Sequence, residues 1–126
     1  MKELQRILHV EDEADIRAVA KLALEKVGGF IVKSCASGEE ALKEAENFEP
    51  DLLLLDVMMP GMDGPATLQA LWEKPSVTDV RAIFMTAKVQ PAELDQFKSM
   101  GVDAIIAKPF DPMTLAEQLS AIWKGK

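Results

Sequence analysis

The sequence predicts an α/β protein, a five-stranded parallel sheet with helices on both faces. Two observations carry this. Five short, nearly continuous apolar runs recur along the chain, as strands buried on both faces do. Longer stretches with apolar residues at helical spacing lie between them, several opened by a capping or proline signal. The length, 126 residues, supplies one domain, expected to span 1–126, and no repeat or linker divides it. Crossovers are expected to be right-handed.

The first strand is Arg6–Val10. A helix over Ala14–Val27 follows, with Ile16, Ala20, Ala23, Leu24 and Val27 on one face and Gly28-Gly29 as its stop. Phe30–Cys35 is the second strand. Ser37 and Glu40 form a capping box ahead of Ala41, Leu42 and Ala45. Asp51–Leu55 is the third strand, continuous in leucine. Pro65 stands at a first helical position ahead of Leu68, Leu71 and Trp72. Val80–Met85 is the fourth strand, and Pro91 opens a helix through Leu94, Phe97 and Met100. Asp103–Ala107 is the fifth. Asp111 and Pro112 open the last helix, through Leu115, Leu119 and Ile122.

Composition excludes several function classes. The chain is 48% hydrophobic and 28% charged, which fits neither a disordered tail nor a fibre. A net charge of −7 repels phosphate backbones and argues against direct nucleic-acid binding. One cysteine, Cys35, excludes an intramolecular disulfide and a multi-Cys metal site. No apolar run approaches the ~20 residues that span a bilayer, and the N-terminus has no signal-peptide pattern. The expectation is a cytoplasmic protein without membrane insertion.

In an open parallel sheet, functional groups gather at the carboxyl ends of the strands. Glu11, Asp12 and Glu13 follow the first run, and Asp56 with the loop Val57–Gly64 follows the third. Thr86 follows the fourth, and Lys108 the fifth. Carboxylates at Glu11, Asp12 and Asp56 repel one another when brought close. A hard divalent cation relieves that repulsion, and magnesium keeps open positions for water and phosphate oxygens. A carboxylate is also a nucleophile toward phosphorus. Phosphoryl transfer then needs charge neutralisation of the three equatorial oxygens, for which a cation, the Lys108 ammonium and the Thr86 hydroxyl are suited.

These residues resemble the receiver domain of bacterial two-component response regulators, the chemotaxis-regulator-like group of the flavodoxin-like fold with strand order 2-1-3-4-5. The resemblance rests on Ile7–Glu13, Asp51–Gly64, Ile83–Ala87 and Ala107–Phe110 and covers essentially the whole chain. It implies that Asp56 is the phosphoacceptor, with Thr86 and Lys108 binding the phosphoryl group. Magnesium would be held by Asp12, Asp56 and the backbone carbonyl of Met58, with Glu11 acting through water or as a support. The bond before Pro109 would be cis. A histidine kinase or histidine phosphotransfer protein would supply phosphate to this signalling switch in its phosphorelay. A downstream protein would bind the face of the fourth helix, fifth strand and fifth helix. The reading is a stand-alone receiver, monomer or weak dimer, that is no dedicated enzyme and at most assists its own phosphorylation and dephosphorylation.

The sequence departs from the family in places. Ile105 stands where an aromatic is usual, and its stiff χ1 puts the usual aromatic switch in doubt. Bulky Met58 is expected to hinder attacking water, so Met58→Asn is expected to shorten the aspartyl-phosphate half-life. Lys88 is expected to pair with Glu11 or the phosphate. Other residues read as structural: His9 as a packed strand residue, Cys35 as a small buried hydrophobe, Trp72 and Trp123 as core or interface, Asp51 as an exposed turn residue. Asp63 and Gly64 shape a turn, and Lys124 and Lys126 a solvated end. Three competing functions are weighed. A haloacid-dehalogenase-type phosphatase wants an acid where Met58 stands. A flavin carrier wants a hydroxyl- and glycine-rich loop where Glu11-Asp12-Glu13 stands. A pseudo-receiver working without phosphorylation remains the alternative.

Overall fold

The computed structural model describes residues 2–87 and 90–125, so Lys88 and Lys126 lie outside the described residues. The elements run β1 (Arg6–Val10), α1 (Ala14–Leu22), β2 (Ile31–Cys35), α2 (Gly38–Phe48), β3 (Leu52–Asp56), α3 (Gly64–Trp72), β4 (Arg81–Thr86), α4 (Pro91–Ser99), β5 (Ala104–Ala107) and α5 (Leu115–Lys124). All four strand pairings are parallel, and the sheet order is β2-β1-β3-β4-β5. The predicted fold class and strand order are what the structure shows.

Strand alternation divides the core into two layers. Leu8, Val10, Leu53, Leu55, Ala82 and Phe84 face one way, onto α2, α3 and α4. Ile7, Leu52, Leu54, Ile83, Met85 and Ile106 face the other, onto α1 and α5. β3 is buried along its whole length, as a central strand covered on both faces must be.

Three local expectations need correction. α1 does not continue as one regular helix to Val27. Residues Ala23–Val27 form a π-helical turn, with Gly28 N–H donating to Ala23 O at 3.3 Å. The wider turn carries Val27 off the buried face, leaving it 52% exposed. Gly28 takes its place against α5: a Cβ there would lie 2.7 Å from Ala116 Cβ. Asp51 is not an exposed turn residue. Its carboxylate accepts from the backbone N–H groups of Gln5 at 3.0 Å and Arg6 at 2.9 Å, pairs with Lys2 at 2.7 Å, and is buried. Finally, Asp111 and Pro112 do not begin the last helix. They form a turn in which Thr114 and Leu115 both donate to Asp111 O, and α5 starts at Leu115.

The other signals act as read. Ser37 Oγ accepts from Glu40 N at 3.1 Å, and Glu40 reaches back to Ala36 N at 2.9 Å. Asp63 caps α3 through Ala66 N at 2.9 Å. Trp72 and Trp123 donate their indole N–H groups to Val80 O and Lys2 O, both at 2.9 Å. His9 and Cys35 are fully buried.

Candidate functional site at the strand ends

The sheet ladder itself fixes the positions from which the site is built. Glu11 N–H donates to Cys35 O at 3.0 Å, one step past β1. Val57 N–H donates to Met85 O and Lys108 N–H to Thr86 O, both at 2.9 Å. The ends of β1, β3, β4 and β5 are thereby registered, and Glu11, Asp56, Thr86 and Lys108 emerge at one edge. Gly64 packs against the backbone of β3: a Cβ on it would meet Asp56 O at 2.6 Å, so no side chain fits.

Glu11, Asp12 and Asp56 each bring a carboxylate oxygen within 4.8 Å of the others. Glu11 is fully buried and Asp56 is 2% exposed, while Asp12 is half-buried. Lys108 Nζ lies 2.9 Å from Glu11 Oε1 and 3.3 Å from Asp56 Oδ1. Glu11 Oε2 accepts from Glu13 N at 3.2 Å, so both Glu11 oxygens have protein partners. The Arg17 guanidinium donates to Glu11 O at 2.8 Å and Asp12 O at 3.4 Å. It grips the acid pair by its backbone. Sequence reasoning missed this residue; its spacing on the first turns of α1 was the available signal. Thr86 is buried at the end of β4. The Met58 side chain, two residues after Asp56, is 62% exposed. The Lys108–Pro109 bond is cis, as the resemblance implied.

Burial, then the neighbouring Glu11 charge, pushes the Asp56 carboxyl up to about 6, against the pull of Lys108. Burial works against the Lys108 ammonium, but its hydrogen bond to Glu11 and the charges of Asp56 and Glu11 outweigh that, and its pKa is raised. Two adjacent carboxylates thus share one ammonium. The donor set is all oxygen and carries excess negative charge, which fits a hard divalent cation.

A doubly wound parallel sheet with acid, hydroxyl and ammonium groups at its carboxyl edge is the class of protein that the fold and the site define. Residues 7–120 match the response regulator receiver domain family. The chain belongs to that family, the receiver domains of two-component response regulators. It is 34% identical over 122 residues to response regulator Rre1 of Synechocystis, covering 97% of this chain and 51% of that protein. It is 34% identical over 118 residues to the alkaline phosphatase synthesis transcriptional regulatory protein PhoP of Bacillus subtilis, covering 94% and 48%. The chain therefore spans about half the length of these curated relatives. Among solved structures it superposes on chemotaxis protein CheY4 of Vibrio cholerae with a TM-score of 0.87 at 28% identity, covering 94% of this chain and 98% of that one. The N-terminal domain of a response regulator receiver protein from Methanoculleus marisnigri gives a TM-score of 0.75 at 33% identity, covering 94% and 96%. Among the described residues no helix is long and apolar enough to cross a membrane.

Proposed function

We propose that this domain is a phosphorylation-dependent switch whose phosphoacceptor is Asp56. The observation that carries the reading is the Asp56 carboxylate, grouped with Glu11 and Asp12 and held by Lys108 at 3.3 Å. An Asp56 oxygen attacks phosphorus of a phosphohistidine on a histidine kinase or phosphotransfer protein. The O–P bond forms, the N–P bond breaks, and the imidazole leaves with the electron pair and takes up a proton. With its pKa at about 6, Asp56 is ionised at neutral pH and needs no general base. Lys108 already contacts Asp56 and neutralises developing negative charge. Thr86, at the neighbouring strand end, donates its hydroxyl to a phosphoryl oxygen. Asp12, Asp56 and the Met58 carbonyl would hold magnesium, with Glu11 as support, and the cation would neutralise charge on the phosphoryl oxygens. The domain assists its own phosphorylation and dephosphorylation and is no dedicated enzyme.

The donor seats on an apolar strip beside Lys108. Ile16, Val19, Pro109, Phe110 and Pro112 line a groove together with Asp15 and Lys108. Leu22 and Met113 extend it outward, 59% and 70% exposed. A partner docked here brings its phosphorylated side chain toward Asp56. Leu22→Glu is expected to cut transfer from a protein donor by more than about tenfold, since an apolar contact is replaced by a buried charge. Phosphorylation by acetyl phosphate is expected to stay unchanged, and an equal fall in both would remove the strip from the reading.

The test of the central claim is intact mass after incubation with magnesium and acetyl phosphate. One added phosphoryl group that requires magnesium and is absent in Asp56→Asn is the expected result. A folded, magnesium-binding protein without an adduct supports the pseudo-receiver reading instead.

A further inference from the structure

We infer that Arg17 is the positioning residue of the cation site: by fixing the peptide planes on either side of Asp12, it sets how tightly the site holds a divalent cation and favours magnesium over calcium. The inference rests on the cation reading above and extends it to a residue that has no acceptor atom to offer a cation. One guanidinium nitrogen of Arg17, Nη1, donates to Glu11 O at 2.8 Å and, more weakly, to Asp12 O at 3.4 Å. Each carbonyl lies in a rigid peptide plane, and the two planes meet at the Asp12 Cα. Holding both leaves the Asp12 backbone little freedom. Its dihedrals decide where Cβ points and which rotamers the carboxylate can use.

The rest of the turn shows why that hold is needed. Glu11 is tied down at each of its polar atoms: its N–H donates to Cys35 O, its carbonyl accepts from Arg17, and its carboxylate oxygens accept from Glu13 N and Lys108 Nζ. Asp12 comes next, half-buried, with its carboxylate close to those of Glu11 and Asp56, and like charge pushes the three apart. Glu13, the N-cap of α1, makes no side-chain capping bond, so the helix start gives the turn no brace of that kind. Arg17 stands one turn into α1, and helix side chains tilt toward the N-terminus, which brings its guanidinium back over the turn. Its positive charge by itself repels a cation at the site. Charge and positioning therefore predict opposite effects of removing it. Magnesium also demands near-ideal octahedral ligand placement, whereas calcium accepts flexible geometry. A loosened Asp12 costs magnesium more than calcium, while a lost charge alters both alike.

The test is the melting temperature of the full chain titrated with magnesium and, separately, with calcium, from which each Kd follows. Arg17→Met keeps an apolar stem and removes both the donor and the charge. It is expected to weaken magnesium binding by about tenfold or more, as loss of a group that orients a ligand does, and calcium binding by less than about threefold. Because one nitrogen serves both carbonyls, the ammonium of Arg17→Lys can replace it and is expected to recover most of the magnesium affinity. In chelator, without any cation, amide exchange at Asp12 and Glu13 is expected to be severalfold faster in Arg17→Met than in the wild type. A general loss of stability would leave the ratio of the two Kd values unmoved. Tighter binding of both cations in Arg17→Met, an equal loss for both, unchanged amide exchange, or no recovery in Arg17→Lys overturns the inference and leaves the cation reading standing. A wild type that magnesium does not stabilise overturns both.

Discussion

At the scale of single residues, two aspartates at opposite ends of β3 show how placement sets chemistry. Asp51 is buried, yet its pKa is lowered. Burial opposes ionisation, but the Lys2 ammonium and the N–H groups of Arg6 and Gln5 outweigh it. A depressed pKa contributes stability above the ordinary carboxylate value and loses it as pH falls through the lower folded value. Asp51→Ala leaves two backbone donors without their acceptor, at a cost of about 1–3 kcal/mol. Urea unfolding at neutral pH is expected to show that loss, and the gap between variant and wild type is expected to close in strong acid. Asp56 behaves in the opposite sense, because nothing at its end of the strand offsets both burial and the Glu11 charge.

At the scale of elements, the π-helical turn after α1 is the feature with consequences. It exchanges Val27 for Gly28 at the contact with α5, where Gly28 and Ala116 meet closely. Gly28→Ala drives a methyl group into Ala116 Cβ and is expected to cost about 1–3 kcal/mol by overpacking. Val27→Ser, on the exposed side, is expected to stay within about 0.5 kcal/mol, as surface substitutions do. Thermal unfolding of the two variants checks both values; equal losses would mean the turn has no bearing on the packing. α4 stands at the other extreme, with Phe97 its one buried side chain.

At the scale of the whole molecule, the sheet gathers charges that the folded state would otherwise not hold together. The Asp56 pKa is raised from 3.8 to about 6, so its contribution to stability is full below about pH 4 and is lost as pH rises through about 6. In a chelating buffer, Asp56→Asn is therefore expected to melt higher than the wild type at pH 7.5, with the advantage shrinking toward pH 4. Added magnesium is expected to stabilise the wild type by RT ln(1 + [Mg]/Kd), about 2.7 kcal/mol at a hundredfold excess over Kd. That gain is expected to be much smaller in Asp56→Asn, which removes one of the grouped carboxylates. Melting curves over this pH range, with and without magnesium, check both expectations. A variant that never exceeds the wild type would show that Asp56 carries no ionisation penalty.

The sequence by itself determined the succession of strands and helices along the chain and the residues standing at each strand end. These follow from local periodicity, from capping and proline signals, and from the rule that parallel sheets present function at their carboxyl edge. Ser37, Asp63 and Pro91 mark their helices because capping and fixed φ act within one turn. The tertiary structure alone decided what depends on contacts between distant segments. Asp51 found its partners more than forty residues away, at Gln5 and Arg6. Gly28 became the contact residue because α5 lies against it. Arg17 reached back to the carbonyls of the acid pair, and Phe97 met Phe84 across the layer. Burial and pairing energies belong to the surroundings that packing creates, and no window of sequence contains those surroundings.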